Sequence, residues 1–172
     1  MKTLFDADTL KHRIAELGAK IRADYGDKTI VAVCVLKGSI LFTADLVRAI
    51  GGDVRIEFLG VSSYKGTKST GQVRITHDLK DSVRGKHVLI VEDIVDTGLT
   101  LEYLIATLNM REPASLKVAT LLSKPAHRTV DIEADYRGFV IDDHFVVGYG
   151  LDLDERYRNL PCIGIYEPGI DE

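Results

Sequence analysis

The sequence predicts an α/β domain built on a doubly wound, mainly parallel sheet flanked by helices. Three observations carry that expectation. The runs at 29–36 (TIVAVCVL), 88–91 (VLIV) and 116–122 (LKVATLL) are nearly continuous apolar stretches rich in β-branched residues, as in strands covered on both faces. Segments of helical period alternate with them, and alternating strand and helix with right-handed crossovers gives a parallel sheet wound on both sides. Polar residues close the apolar runs abruptly: Lys37, Glu92 and Lys124 fall at or just after predicted strand ends, as does Asp152 further on. Ligands in such sheets bind beyond the carboxyl ends of the strands, so these four side chains are candidates to converge.

The elements follow in order. Asp8 is the expected cap of a first helix whose apolar positions Leu10, Ile14, Leu17 and Ile21 keep the helical period up to Gly26. A buried strand over 29–36 leads through Lys37-Gly38-Ser39 into a second helix carrying Leu41, Ala44, Leu46, Val47 and Ile50, stopped by Gly51-Gly52. A strand over 54–61 precedes 62–71 (SSYKGTKSTG), which is polar, small and without an apolar anchor, and reads as a flexible loop returning through a strand at 72–76. The run at 88–91 and the helix bearing Leu101, Leu104, Ile105 and Leu108 come next, then the strand at 116–122. Short strands are expected at 139–141, 145–149 and 162–166. With no repeat, linker or low-complexity tract, residues 1–172 read as a single domain.

Composition narrows the function classes. A formal charge of −4, with 45% hydrophobic and 28% charged residues, is an ordinary globular balance, and a pI near 5.7 argues against a surface devoted to nucleic acid or an anionic membrane. No apolar run approaches the roughly 20 residues of a membrane span. The N-terminal stretch lacks the apolar core of a secretory signal, so a cytoplasmic location is expected. Cys34 and Cys162 sit in apolar contexts and read as reduced, buried thiols. The histidines at 12, 77, 87, 127 and 144 have no carboxylate or serine partner at a telling spacing and are expected to be surface or core residues.

The most informative stretch is 87–101 (HVLIVEDIVDTGLTL). An apolar strand delivers two adjacent carboxylates, Glu92 and Asp93, followed by a short loop, Asp96-Thr97-Gly98-Leu99-Thr100, at a helix N-terminus. Backbone N–H groups and the helix dipole there favour a phosphate ester, and Thr97 and Thr100 add hydroxyl donors. The two acids are unsuited to phosphate but suit ribose hydroxyls or Mg²⁺.

V-L-I-V-E-D-I-V-D-T-G-x-T resembles the phosphoribosyl-diphosphate (PRPP) signature of type I phosphoribosyltransferases, in particular the hypoxanthine-guanine branch, and 145–152 (FVVGYGLD) resembles a second segment of the same branch. The likeness covers about residues 29–166. It implies the type I fold, with a small hood region and a flexible flap. The reaction it implies is purine salvage: N9 of hypoxanthine or guanine attacks C1′ of PRPP, giving IMP or GMP and pyrophosphate with Mg²⁺. By the same resemblance Asp96 to Thr100 anchor the 5′-phosphate, with Leu99 giving only its backbone N–H, and Glu92 and Asp93 hold ribose hydroxyls in part through Mg²⁺. Asp96 also matches the candidate general base at purine N7, base and electrostatic roles being inseparable from sequence. Lys37-Gly38 matches the pyrophosphate loop, where the Leu36–Lys37 peptide can be cis, a point local pattern leaves open. Phe145 matches the residue that stacks on the purine and Val146 the one whose backbone reads its edge. Asp152 matches a ligand of a second Mg²⁺ on pyrophosphate and Arg158 an arginine reaching pyrophosphate. Lys124 matches the donor to the purine 6-oxo group, so hypoxanthine and guanine are expected as substrates and adenine is not. Ser63-Tyr64 matches the pair on the closing flap. The family likeness suggests a homodimer or homotetramer.

Three alternatives remain at this level. One is a transferase of the same family acting on xanthine or a pyrimidine. Another is a PRPP-sensing regulator, against which the acidic pI and the retained Asp96, Lys124, Asp152 and Ser63-Tyr64 count. A dinucleotide-binding dehydrogenase is weaker still, because Gly148-Tyr149-Gly150 lacks a third glycine in register.

Overall fold

The computed structural model describes residues 1–64, 72–167 and 169. Among them, six strands form one sheet in the order β4-β3-β2-β5-β6-β7: β2 (Ile30–Leu36), β3 (Val54–Tyr64), β4 (Gln72–His77), β5 (His87–Val95), β6 (Ser115–Ser123) and β7 (Tyr136–Val140). All neighbours are parallel except the β3–β4 edge pair. Helices α1 (Ala7–Tyr25) and α2 (Ile40–Ile50) cover one face and α3 (Leu99–Asn109) the other. The doubly wound sheet predicted from the apolar runs is thus the observed architecture.

Strand alternation explains the two-sided core. In β2, Ile30 and Ala32 pack with Leu10, Ile14, Leu17, Phe42 and Leu46, while Val31, Val33 and Val35 pack with Leu101, Leu104 and Leu108. β5 divides in the same way, Leu89 and Val91 toward α1 and α2, Val88 and Ile90 toward α3. A second, three-stranded sheet, β1 (Lys2–Phe5), β9 (Ile163–Ile165) and β8 (Val146–Val147), forms the hood. Stacking of Phe5 on Phe139 of β7 fastens it to the main sheet, with ring centroids 4.0 Å apart. The Tyr149 hydroxyl, bonded to Asp45 of α2, is a second fastening.

Several sequence expectations are corrected. The cap of α1 is Asp6, whose Oδ1 accepts from Thr9 N–H at 2.8 Å; Asp8 sits inside the first turn, where a negative charge suits the dipole. β5 does not end at Val91, because β6 continues beside it and the ladder runs on through Glu92, Ile94 and Val95. The acids are therefore strand residues, and α3 already begins at Leu99. The strand expected at 145–149 shrinks to Val146–Val147, since positive φ at Gly148 and Tyr149 turns the chain. β3 runs on to Tyr64, so Ser62 to Tyr64, expected in a loop, are strand residues; residues 65–71 and the side chains of Ser63 and Tyr64 lie outside the described residues. Both cysteines are free, Cys34 buried and Cys162 half-buried. No described helix is long and apolar enough to cross a membrane.

α1 crosses α2 at Gly18, where a methyl group would sit 2.5 Å from the Ala49 carbonyl carbon. Gly18→Ala should gain about 1 kcal/mol of helix propensity but lose more, about 1–3 kcal/mol, to overpacking. Net destabilisation in urea unfolding is the expected result; a more stable variant would show that the crossing gives way freely.

Candidate active site

The carboxyl edge of the main sheet collects most of the expected site residues. Glu92 and Asp93 are consecutive in β5, so their side chains leave opposite faces. Glu92 lines a small cavity of about 80 Å³ together with Ile94, Val95, Asp96, Thr97, Gly98, Thr100 and Leu101. Asp93 lies against the turn after β2: a methyl group on Gly38 would stand 1.7 Å from its Oδ2. Both acids are pushed up from the usual carboxylate range. Burial is the main cause for each; the neighbouring Asp93 adds to the shift of Glu92, and Asp93 itself reaches about 6. The Ile94 N–H, which donates to Asp93 Oδ1 at 2.7 Å, and the charge of Arg158 only partly relieve it.

The Asp96–Thr100 loop wraps the small cavity and ends in α3, whose N-cap Gly98 is left-handed (φ 90°) and supplies no side-chain cap. The unsatisfied N–H groups of the first turn are left for an anion. The Leu99 N–H makes a long 3.3 Å bond to Thr97 Oγ1.

A segment that sequence reasoning passed over holds this loop in place. Arg128, its side chain only 10% exposed, donates from Nη1 to the carbonyls of Val95 and Asp96 and from Nη2 to Ser123 Oγ at 2.8 Å. Thr129 N–H donates to Thr97 O at 3.0 Å, and Arg128, Val130 and Ile132 fill the space beside Gly98 that a Cβ would need. His127 bridges Asp96 and Asp143, with 2.9 Å on each side. Their partners in 95–97 lie 31 to 33 positions away, so no local spacing announces them.

On the other side of Asp93 stands the pyrophosphate side expected from the resemblance. The Leu36–Lys37 peptide is cis. Gly150, with φ near 100°, stacks on Gly38 so closely that its Cβ would meet the Gly38 carbonyl oxygen at 2.1 Å. Lys37 Nζ pairs with Glu155 Oε2 at 2.9 Å, and Glu155 Oε1 accepts from Arg158 Nη2 at 3.0 Å. Arg158 also reaches Asp152 Oδ1 at 3.1 Å and Gly150 O at 2.7 Å, leaving a buried Nε without a partner. Asp152 Oδ2 accepts from the Glu155 N–H at 2.8 Å. The two expected cations thus meet on one acid, Glu155, which the sequence did not single out.

The purine side is split between the two sheets. Lys124, at the end of β6, is 7% exposed and its Nζ makes no hydrogen bond or ion pair among the described residues. Phe145, 52% exposed, precedes β8 and meets Tyr166 edge-on at 6.2 Å; Tyr157 meets the same tyrosine at 6.2 Å. Val146 is buried, and its backbone pairs with Ile165.

Comparison with known proteins gives a consistent set of relatives. A family model described as a phosphoribosyl transferase domain matches residues 1–154. The chain is 46% identical over 172 residues to the hypoxanthine-guanine phosphoribosyltransferase of Bacillus subtilis, covering 99% of this chain and 96% of that protein. It is 51% identical over 170 residues to the bifunctional protein TilS/HprT of Listeria innocua; there it spans 98% of this chain but only 26%, about a quarter, of the relative. Among solved structures, a hypoxanthine phosphoribosyltransferase from Staphylococcus aureus superposes with a TM-score of 0.94 at 46% identity, covering 100% of this chain and 94% of that one.

The buried acids make a pH-dependent stability prediction. A carboxylate whose folded pKa is raised binds its proton more tightly in the folded state. Stability therefore falls as pH rises from the ordinary aspartate value toward about 6, and the deficit persists above it. Asp93→Asn should accordingly stabilise the metal-free protein at pH 7.5, by on the order of 2 kcal/mol, and make little difference near pH 4. Thermal unfolding in EDTA at the two pH values measures it; equal shifts at both would mean the effect is packing rather than charge.

Proposed function

This chain belongs to the phosphoribosyl transferase domain family, and on that premise we propose that it is a purine-salvage enzyme transferring the 5-phosphoribosyl group of PRPP to N9 of hypoxanthine and guanine. The products are IMP or GMP and pyrophosphate. The observation that carries the 6-oxopurine assignment is Lys124: a largely buried side chain whose ammonium has no acceptor among the described residues is matched by an oxo group at C6 and mismatched by the amino group of adenine. Residues 1–172 work as one transferase domain in this reading, as a homodimer or homotetramer in the cytoplasm.

The assignment of roles follows the geometry. The 5′-phosphate is held by the N–H groups at the start of α3 and the hydroxyls of Thr97 and Thr100, around the cavity that Glu92 also lines. Glu92 and Asp93 take ribose hydroxyls. Lys37, the Gly38 backbone and Arg158 receive pyrophosphate, which competes with Glu155 for the same cations. Lys124 donates to O6, Phe145 offers its exposed ring face to the purine, and the Val146 backbone meets the purine edge. Asp96 takes or shares the proton at N7 as N9 bonds to C1′ and the C1′–pyrophosphate bond breaks. Ser63 and Tyr64 are assigned to a flap that keeps water from the cation-like ribose.

Mg²⁺ suits this donor set. Glu92 is a buried and Asp93 a half-buried acid whose charge their surroundings leave largely uncompensated, and Mg²⁺ is commonly held by one or two carboxylates plus substrate oxygens. Asp152 is the candidate for a second ion; its Oδ2 accepts one hydrogen bond, from the Glu155 N–H, and its Oδ1 is paired with Arg158, so both oxygens keep lone pairs for a cation. When bound, the ion supplies charge neutralisation on ribose and pyrophosphate oxygens.

An absorbance assay with PRPP and Mg²⁺, offering hypoxanthine, guanine, xanthine, adenine and uracil in parallel, tests the reading. Turnover of hypoxanthine and guanine but not adenine, abolished by EDTA, is expected. PRPP binding with no turnover of any base would point instead to a sensor of the same fold. Lys124→Ala should raise KM for hypoxanthine at least tenfold while leaving KM for PRPP within about twofold, the pattern for losing a hydrogen bond to one substrate. If the PRPP constant moves instead, Lys124 faces the wrong ligand. Asp96→Asn should lower kcat by about a hundredfold or more with little change in PRPP binding; equal loss in both would remove Asp96 from the proton step.

A further inference from the structure

His127 sits at the end of a 3₁₀ turn, Pro125–His127, that directly follows Lys124. Pro125 at the first position suits the turn, and the His127 N–H donates to Lys124 O at 3.2 Å. That backbone bond ties His127 directly to Lys124. From there its Nδ1 meets Asp96 Oδ1 and its Nε2 meets Asp143 Oδ2, each at 2.9 Å. Asp96 opens the phosphate loop, and Asp143 lies two residues before Phe145. One imidazole therefore joins the three segments assigned to phosphate, O6 and the purine ring face.

We propose that His127 is a positioning residue for the transfer: it holds Oδ1 of Asp96 so that Oδ2 is presented to N7 of the purine, and through Asp143 it ties that carboxylate to the loop carrying Phe145. The proposal rests on the role of Asp96 set out above. Oδ2 of Asp96 accepts no hydrogen bond among the described residues, so it is the oxygen left for substrate. Ionised carboxylates only accept, so both ring nitrogens must donate and the bridging ring is an imidazolium. A neutral ring has one N–H and can hold only one of the two carboxylates.

The surroundings favour the charged ring. Its pKa is raised above the usual histidine value, first by the hydrogen bond to Asp143, then by that to Asp96, with the charges of both acids adding. Asp96 faces it from the turn between β5 and α3, and Asp143 from the connection between β7 and β8. The adjacent Arg128 is turned inward to Val95 O, Asp96 O and Ser123 Oγ, with Glu133 at 3.6 Å. A raised folded-state pKa means that the bridge is complete below the ordinary histidine value and is lost as pH climbs through the raised one. An isolated exposed ion pair contributes little to stability. What the bridge supplies is orientation, and small misplacements of a reacting group cost rate rather than binding.

The test uses the full-length chain. His127→Ala and His127→Gln should lower kcat with hypoxanthine by about tenfold to a hundredfold while KM for PRPP changes less than about twofold. The wild-type kcat profile should lose activity on the alkaline side, above the ordinary histidine value of about 6.5. That step should be absent in His127→Ala and shifted toward about 6.5 in Asp143→Ala, whose exposed site leaves folding intact. Ring titration by NMR supplies a readout independent of turnover: the His127 pKa should be raised in the wild type and fall in both Asp143→Ala and Asp96→Asn. Wild-type kcat and profile in His127→Ala would overturn the proposal, as would a parallel loss of kcat and PRPP affinity or an ordinary His127 pKa unmoved by Asp96→Asn. If the wild type transfers to no purine while the titration shifts as expected, the functional reading of the site fails and the bridge stands as geometry alone.

Discussion

The poorly compensated charge of Glu92, buried, and Asp93, half-buried, is the constraint around which this molecule is arranged. Placing two acids at the end of a central parallel strand is costly, and burial raises both of their pKa values. A protein selected for stability alone would set a cation against them or replace them. Here the nearby cation, Arg158, is divided among Asp152, Glu155 and the Gly150 carbonyl. Because strand alternation sends the acids to opposite faces, one sits beside the phosphate loop and the other beside the cis peptide turn. Their ligand must reach both, and a ribose bearing phosphate at one end and pyrophosphate at the other has that shape.

The approach of main chain to Asp93 follows from the same constraint. Gly38 has no room for a Cβ because the Asp93 carboxylate occupies that space, and Gly150 has none because it lies on the Gly38 carbonyl. The three form a stack from β5 through the turn after β2 to the hood, with the Asp93 carboxylate against Gly38 and no side chain between Gly38 and Gly150. Any ligand group on the pyrophosphate side would meet peptide N–H groups and carbonyls at close range. The opposite wall is built differently. The loop proposed to hold phosphate is fixed through its carbonyls by Arg128 and Thr129, which bind those of Val95, Asp96 and Thr97. Carbonyls satisfied from behind and amides free in front are what an anion site needs.

Much of this was legible in the sequence where local chemistry decides it. The apolar runs of β2, β5 and β6 admit only buried strands, and the change from Val91 to Glu92 and Asp93, followed by Asp96 to Thr100, marks the candidate site in ten consecutive residues. Element ends were less legible. The strand through Glu92 to Val95 exists because β6 offers a partner there, a tertiary fact. The hood strand β1 is four residues long and gains its place from β9, more than 150 positions away. The segment 125–132 reads as a polar connection, and its role comes from distant partners: Arg128 on Val95 and Asp96, and His127 between Asp96 and Asp143. Glu155 escaped notice because the turn at 153–157, with positive φ at Asp154, Glu155 and Tyr157, is what carries it between Lys37 and Arg158. Single residues whose function is to hold another residue leave no local signature.

The hood gives the site its remaining dimension. Lys124 belongs to the main sheet and Phe145 and Val146 to the hood or its edge, so the distance between the proposed O6 donor and the proposed ring-stacking face is a distance between two sheets. That separation is fixed at several points: Phe5 on Phe139, Tyr149 on Asp45, Gly150 on Gly38, and Asp143 on His127. The first three are packing contacts or hydrogen bonds of the scaffold, well away from the purine face. Only the fourth passes through a side chain bonded to Asp96, and it is the only one of these that includes a histidine. A scaffold fixed by apolar packing and buried hydroxyls holds its width across the physiological pH range. The link nearest the reacting nitrogen instead depends on one proton.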